Sequence, residues 1–549
     1  MKLHPIVERL LEKRGVGEEE REEFLDPSLS RLACVDALPG VREAVAVILP
    51  FVRDKRDIVV YGDYDCDGVC ASAILVTALR RLGATADAFI PDRFTEGYGL
   101  TAAAIDRLFA EHPGVQLVVT VDNGISSARE VADIKARGVA VVVTDHHLPG
   151  PELPVADALV NPRVAAAPGC ESLCGAGVAF FLAGALVQAA EAEGLYTGSK
   201  FAAPLLVLAG LATVADIMPL RGQNRILVAQ SLANFWRCAP LGLRELMRSA
   251  SRVATSAPSA RDYGFLLSPR INATGRLESA ALAYNLLMEE DREVARNLAV
   301  RVNGINGRRQ TEERELAFAL QSQIASGRPA CVARLDKGNL GVVGIVAARV
   351  MERLGVPVAV AVGDTGSVRA PDGYNVHDAL TSAADTLERF GGHAAAGGFT
   401  VKAGRFEDFR SLFTEACAAQ YAADREAIER AKAMEPDLWI EPGDLTMELY
   451  DDLRKLEPFG EGNAEPVFGL RGVRFSDAKP IGAEGQHATF AFVNKAIPRA
   501  VWWNHGRDVE AIRAHDVPRD VLFTLVESDY GGDPHLELKL QDARVGASA

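Results

Sequence analysis

Between residues 57 and 144, short apolar runs alternate with helix-patterned stretches, and this alternation limits the fold more than any other feature. DIVVYG (57–62), ADAFIP (86–91), VQLVVTVD (115–122) and VAVVVT (139–144) read as strands. VCASAILVTALRRLG (69–83), TAAAIDRLFAEH (101–112) and a stretch near 126–137 read as the helices between them. Strands this apolar need cover on both faces, which a parallel sheet with flanking helices provides. The pattern predicts an α/β fold: a doubly wound parallel sheet.

Beyond about residue 230 the pattern changes. Residues 280–325 are polar and helical with no strand candidate, and predict a long connecting helix or helical pair with Gly304 and Gly307 as weak points. A smaller α/β unit follows, with ACVARL, VVGIVAARVMERLG, PVAVAV and GSVRA in succession. From about 436, PVFGLRGVRF, HATFAFVN, RAVWWN, DVLFTLVES and HLELKLQDARV suggest a small β-barrel such as an OB-fold. The expected domains are an N-terminal helical segment (1–40), a catalytic α/β domain (41–230), a helical linker region (231–328), a second α/β domain (329–435) and the barrel (436–549).

The chemistry gathers at strand ends. YGDYDCDGVCAS, directly after the first strand, spaces Asp63, Asp65 and Asp67 as an EF-hand loop does. Counting from Asp63, however, Ile74 occupies the twelfth position, where that loop requires a bidentate Glu. Asp122 caps the strand 115–122, and Asp145, His146 and His147 follow the strand 139–144. In open parallel sheets, functional residues collect at the carboxyl ends of the strands, so the three loops should converge on one edge. Asp216 ends an unusually apolar helix, where an isolated charge needs a partner. Each feature alone reads equally well as a solvated turn, a loop or a helix cap. Jointly, crowded carboxylates repel unless a cation neutralises them. Hard oxygens with an imidazole suit Mn²⁺ or Mg²⁺, and two such ions can support cleavage of a phosphate ester or anhydride.

Composition is compatible with this. Lys and Arg number 59 against 74 Asp and Glu, for a net charge of −15, which argues against a protein that coats polyanions nonspecifically. It leaves open an enzyme whose basic residues line one channel. The start, MKLHPIVERLLEKRG, lacks the apolar core of a signal peptide, and no run approaches the roughly 20 apolar residues of a membrane span. The expected location is cytoplasmic. The eight cysteines are scattered, and the two C-x₃-C pairs have no neighbouring histidine, so buried thiols are expected rather than disulfides or zinc.

DYDCDG, VDNG, DHH and ADIMPL occur in the order of the four motifs of the DHH phosphoesterase superfamily, and GGHAAAGGF (391–399) resembles the glycine-rich motif of its companion DHHA1 domain. PDRFTEGYGL (91–100), PRINATGRL (269–277), GSVRA (366–370) and LEPFGEGNAEPVF (456–468) narrow the resemblance to the branch of single-stranded-DNA-specific 5′→3′ exonucleases, over roughly residues 40–545. The resemblance implies two divalent ions, Mn²⁺ or Mg²⁺, with Asp65, Asp67, Asp122, His146 and Asp216 as ligands and Asp122 as bridge. Many relatives carry a histidine where this chain has Tyr61, so Asp63 is expected to supply the missing ligand. His147 would contact the scissile phosphate or protonate the leaving oxygen, and Asp145 would orient the histidines.

Arg93, Ser367 and Arg369 would grip a terminal 5′-phosphate, Arg270, Asn272 and Arg276 would hold the strand, and the glycines around His393 would let backbone approach phosphate. Blander roles compete here: Arg93 pairing with Glu96, and a simple tight turn for the glycines. The polar helix would help exclude duplexes, while Phe490, Phe492 and Trp502 would offer stacking surfaces. Only one of Trp502 and Trp503 can face outward from a strand. The implied substrate is single-stranded DNA in repair and recombination, and the implied partners are a single-stranded DNA-binding protein and a helicase, with no membrane and a monomeric chain. Two rivals are a DHH phosphodiesterase for short oligonucleotides or cyclic dinucleotides and a catalytically dead DNA-binding scaffold.

Overall fold

A computed structural model describes residues 3–97, 99–198, 202–250, 257–324, 327–432, 434–529 and 532–545. The chain forms two compact units: Met1–Ser268 with Tyr284–Ala295 and Glu435–Ala549, and Pro269–Ala283 with Arg296–Met434.

In the first unit, β1 (Asp57–Tyr61), β2 (Thr85–Phe89), β3 (Leu117–Val121), β4 (Ala140–Thr144) and β5 (Ala158–Val160) form a sheet in the order β2-β1-β3-β4-β5. All its pairings are parallel. Tyr61 lies opposite both Phe89 and Thr120, and Val121 opposite Thr144, so β1, β3 and β4 end nearly level. The order reverses between β1 and β3, and such a switch point leaves a crevice at the carboxyl ends of the strands. β5 is a fifth strand, three residues long and too short to register as a pattern in the sequence. One face of the sheet packs Val59, Val118, Val141 and Val143 against Ile105, Leu108, Val131 and Ile134 of the crossover helices.

The helix Cys66–Arg81 packs with the helices Gly175–Ala192 and Ala202–Ala215. At 18 residues, Gly175–Ala192 is long and apolar enough to cross a membrane, which corrects the expectation that no run comes near. Here it is core, with Val178, Phe181, Leu182 and Leu186 buried.

The same unit contains a seven-stranded sheet in the order β11-β12-β16-β17-β15-β14-β13. Its strands are β11 (Leu438–Trp439), β12 (Phe468–Val473), β13 (Phe475–Ile481), β14 (His487–Phe492), β15 (Ala500–Trp502), β16 (Arg519–Ser528) and β17 (His535–Val545). The N-terminal helix packs onto this sheet. Ile6, Val7, Leu10 and Leu11 of the helix Pro5–Lys13 share one core with Leu449, Phe468, Phe490 and Phe523.

The second unit holds β6 (Cys331–Leu335), β7 (Val358–Val362), β8 (Thr365–Arg369), β9 (Leu387–Gly392) and β10 (Ala396–Val401), ordered β6-β7-β8-β10-β9. The GGH glycines sit in the β9–β10 hairpin. A Cβ at Gly392 (φ +143°) would come 2.3 Å from the Ala396 carbonyl oxygen, so the turn itself requires glycine. The helix Arg292–Ala319 runs unbroken for 28 residues through Gly304 and Gly307, which do not act as weak points. Among the cysteines, Cys34 is exposed and Cys238 half-buried, against expectation; the other six are buried, and all eight are free thiols.

Candidate metal centre

Asp65 has extended backbone and caps the helix Cys66–Arg81: its Oδ1 accepts from the N–H of Asp67 at 2.9 Å and of Gly68 at 3.1 Å. A Cβ on Gly68 would lie 2.6 Å from the Asp63 Cα, so glycine lets the loop fold over the helix start. Asp67, in the first turn, accepts from the N–H groups of Gly175 at 2.6 Å and Ala176 at 2.7 Å. These donors begin the helix Gly175–Ala192, so two helix N-termini face the carboxylates, where their dipoles favour negative charge.

Asp122, one residue past β3, takes a left-handed backbone (φ +62°). A Cβ on Gly175 would sit 2.5 Å from the Asp122 Cβ and 2.7 Å from its Oδ1, so only glycine permits this approach. His146 Nε2 lies 3.1 Å from Asp122 Oδ1, 3.6 Å from Asp216 Oδ2 and 3.8 Å from Asp67 Oδ2. Asp63, Asp65 and Asp122 bring one ligand atom each within 4.8 Å of one another, and so do Asp67, His146 and Asp216. Asp122 joins both sides, since it also groups with His146 and His147. Tyr61, by contrast, turns away: its hydroxyl donates to the Gly99 carbonyl at 2.9 Å and its ring stacks on Phe89.

Burial first, then neighbouring carboxylates, push Asp63, Asp65 and Asp122 above the ordinary carboxylate range. The same causes raise Asp216 to about 8. Burial also lowers His146. His147 behaves oppositely. Burial alone would lower it, but its Nδ1 lies 2.7 Å from Asp145 Oδ1, and that partner raises it to about 9. Asp145 is itself fixed by the N–H groups of Ile125, His146 and His147. Asp63 Oδ1, His146 Nε2 and Asp216 Oδ2 are buried without a hydrogen-bond partner. Buried polar atoms rarely remain unpaired, and five crowded carboxylates with an imidazole fit hard divalent cations.

Asp216 is also held from outside the α/β domain. Just beyond it, the Leu220 N–H donates to the Glu461 carbonyl at 2.7 Å, and Arg221 Nε donates to the Gly462 carbonyl at 2.8 Å. Buried Arg225 donates to the carbonyls of Glu457 and Phe24, both at 2.7 Å. LEPFGEGNAEPVF is therefore the strap that fixes the Asp216 loop, and PFGEGN has a physical role that sequence reasoning left unassigned. The backbone donors at Gly175 and Ala176 were missed as well, the only local signal being the small residues of CGAG.

Glu96 is occupied by Arg107 (Nε to Oε1, 2.6 Å), which removes the proposed Arg93–Glu96 pair. Arg93 instead lies over the Tyr64 ring, 5.3 Å from its centroid, and its charge is felt at Asp63. Tyr98 in the same motif falls outside the described residues.

Within the second unit, Arg369 and Ser367 line the first turns of the helix Leu340–Leu354. A Cβ on Gly344 would come 3.0 Å from Arg369 Nη2 and 3.5 Å from Ser367 Oγ. Arg270 Nε donates to Asn303 Oδ1 at 2.8 Å, and Arg276 Nη1 to the Gly341 carbonyl at 3.1 Å. Asn272 lies on the same helix, Ser268–Leu277, and His393 is exposed in the hairpin.

The stacking assignments need correction. Phe490, Phe492 and Trp502 are buried in the barrel core, because the pleat turns these positions inward, and they offer no face to a base. Trp503 is the outward member of the pair, 50% exposed, with its ring edge-on to His487 at 4.5 Å.

Residues 57–209 match the DHH family N-terminal domain, 327–419 the DHHA1 domain and 436–542 the RecJ OB domain. The single-stranded-DNA-specific exonuclease RecJ of Dickeya dadantii is 36% identical over 494 residues, covering 85% of this chain and 83% of that protein. The RecJ of Bacillus subtilis is 34% identical over 92% of this chain, which spans only 64% of that longer protein. The crystal structure of Thermus thermophilus RecJ in complex with Mn²⁺ superposes with a TM-score of 0.83 at 32% identity, covering 100% of this chain and 76% of the other. With identity of this order across most of its length, and with DHH, DHHA1 and RecJ OB regions in succession, the chain belongs to the RecJ family of DHH phosphoesterases.

Proposed function

We propose that this protein is a metal-dependent exonuclease that removes nucleotides from the 5′ end of single-stranded DNA. The observation that carries the reading is the pair of ligand groups meeting at Asp122, with buried ligand atoms that lack any other partner. Relatives at 34–36% identity bear the name single-stranded-DNA-specific exonuclease, and the Thermus protein has been crystallised with Mn²⁺ and with Mg²⁺.

Asp63, Asp65, Asp67, Asp122, His146 and Asp216 would hold two such ions, which supply charge neutralisation at a phosphodiester and an activated water. The protein's own groups do the rest. His147, kept protonated by Asp145, faces the centre and gives a proton to the leaving oxygen. The helix N-termini at Asp67 and Gly175 keep the carboxylates ionised once the cations are bound. In the second unit, Arg369 and Ser367 supply a guanidinium fork and a hydroxyl suited to a terminal phosphate with several free oxygens. Arg270, Asn272, Arg276 and the hairpin around His393 belong to the strand's path there, and Arg93 to its path in the first unit. The cell compartment is the cytoplasm and the chain acts as a monomer. Its partners are a single-stranded DNA-binding protein and a helicase, and its setting is repair and recombination.

Digestion of end-labelled single and double strands with Mn²⁺, in both polarities, tests the reading. Processive loss of nucleotides from the 5′ end of single strands is expected, and Asp122→Ala should reduce it by at least about a thousandfold, since the centre acts as a unit. A phosphodiesterase for dinucleotides would instead cleave those rapidly and leave the long strand intact. The match of residues 436–542 to the RecJ OB domain weighs against it.

A further inference from the structure

Among the described residues, four that are not glycine have positive φ: Lys55, Asp122, Ile217 and Asn504. Ile217 is the β-branched member, and a branched side chain at φ +56° is strained in a way that lysine, aspartate or asparagine is not. It sits immediately after Asp216, where the helix Ala202–Ala215 ends and where glycine is the ordinary residue. Its side chain gains nothing from burial in exchange, being 69% exposed. The turn that imposes the strain is held at both ends. The Ile217 N–H donates to the Val214 carbonyl and Met218 N–H to the Thr213 carbonyl, while Leu220 is tied to Glu461. A strained conformation over-determined by its surroundings, beside a reactive centre, points to a function for what it displays.

Two further large apolar side chains are exposed near the candidate residues in sequence, without such strain. Leu148, directly after His147, is 66% exposed, and Phe94, directly after Arg93, is 50% exposed. Ile217 and Leu148 each follow a residue of the centre by one position, and Phe94 follows Arg93, which lies over the Tyr64 ring in the aspartate loop, so three loops carry an exposed apolar residue beside a polar one. A phosphodiester in that centre brings its sugar and base with it. The neighbouring surface therefore meets a nucleobase, whose apolar part is its π-face.

We propose that Ile217, supported by Leu148 and Phe94, is a specificity-determining residue that grips the face of the nucleobase beside the scissile phosphate. This rests on reading the centre as a single-strand exonuclease site. Contact with a base face is indifferent to sequence, because every base has one, yet it demands an unstacked base, which a duplex does not present. Single-strand preference would thus be enforced at the centre itself.

The test uses the Mn²⁺-loaded full chain in single-turnover cleavage of 5′-labelled oligodeoxynucleotides, intact or abasic at the first or second nucleotide. Wild type should cleave the intact strand about tenfold faster than at least one abasic strand, as expected for the loss of one base-stacking contact. Ile217→Gly should slow the intact strand by about the same factor and leave the abasic rate unchanged, so that discrimination collapses. Its Tm should match or exceed that of wild type, since the strain is relieved. Ile217→Asn, which tolerates left-handed backbone, repeats the comparison should the glycine variant lose stability. Ile217→Val should retain discrimination. Equal slowing on both strands, no change on either, or a wild type indifferent to the missing base would each overturn the proposal. A wild type that cleaves no single strand in Mn²⁺ would overturn the exonuclease reading, and this inference with it.

Discussion

At the centre, three buried carboxylates (Asp63, Asp67 and Asp122) and two half-buried ones (Asp65 and Asp216) face one another, and their protonation couples folding to pH. The folded pKa of Asp216 is raised to about 8 from an ordinary 3.8, and Asp63, Asp65 and Asp122 are raised as well. Between those values the metal-free folded state binds more protons than the unfolded chain. Stability of the metal-free protein is therefore fully present below about pH 4 and is lost as pH climbs towards 8, at up to about 1.4 kcal/mol per pH unit for each group within its own window. Mn²⁺ competes with those protons and should reverse the trend. Thermal melts of chelator-treated and Mn²⁺-loaded protein between pH 5 and 8.5 check this, and a metal-free Tm that rises with pH would be the wrong sign. A second expectation concerns His147. Asp145→Asn removes the carboxylate that raises its pKa, so the alkaline limb of the pH–rate profile should move to lower pH. The rate at pH 8 should then fall by about ten- to a hundredfold, within the range for a mispositioned general acid.

The elements deliver these residues through close approaches. Gly175→Ala would drive a methyl group into Asp122, and overpacking of this kind costs about 1–3 kcal/mol. The variant should melt lower and need more Mn²⁺ for half-maximal activity, both readable by titration of the same sample. The strands of the α/β domain were legible in the sequence because their apolar runs are bounded by turn residues, and the strand ends then located Asp65, Asp67, Asp122 and His146. The depth of the site was not legible. Nothing local marks Gly175 as the neighbour of Asp122, because the contact joins a helix start to a strand end 53 positions earlier (175 − 122). β5 and the β9–β10 hairpin escaped because three residues, or a glycine-rich run, carry no period-2 signal. Phe490, Phe492 and Trp502 were misread because an alternating strand shows which residues share a face but not which face meets the core.

On the scale of the first unit, the N-terminal helix meets the C-terminal sheet. Leu3, Ile6, Val7, Leu10 and Leu11 share a core with the C-terminal sheet, and Arg14 reaches Asn463 Oδ1 at 2.7 Å within the strap that holds the Asp216 loop. Arg225 joins the same junction, its guanidinium stacked 3.9 Å over Phe24 while it donates to Glu457. The N-terminal helix is thus part of the support of the strap beside the metal centre. Deleting residues 1–28 should strip several fully buried aliphatic side chains from that core, at about 1.5–3 kcal/mol each before relaxation. The first loss expected is local order in 440–540 and in the strap, ahead of the α/β sheet, whose core under the crossover helices contains none of the deleted residues. Hydrogen exchange should show amides of β12 and β16 and of residues 456–464 losing protection while β1, β3 and β4 keep theirs. Half-maximal Mn²⁺ should rise because Asp216 is no longer pinned. Uniform loss of protection across all strands would mean that the two cores unfold as one, and the strap would then have no separable role in holding Asp216.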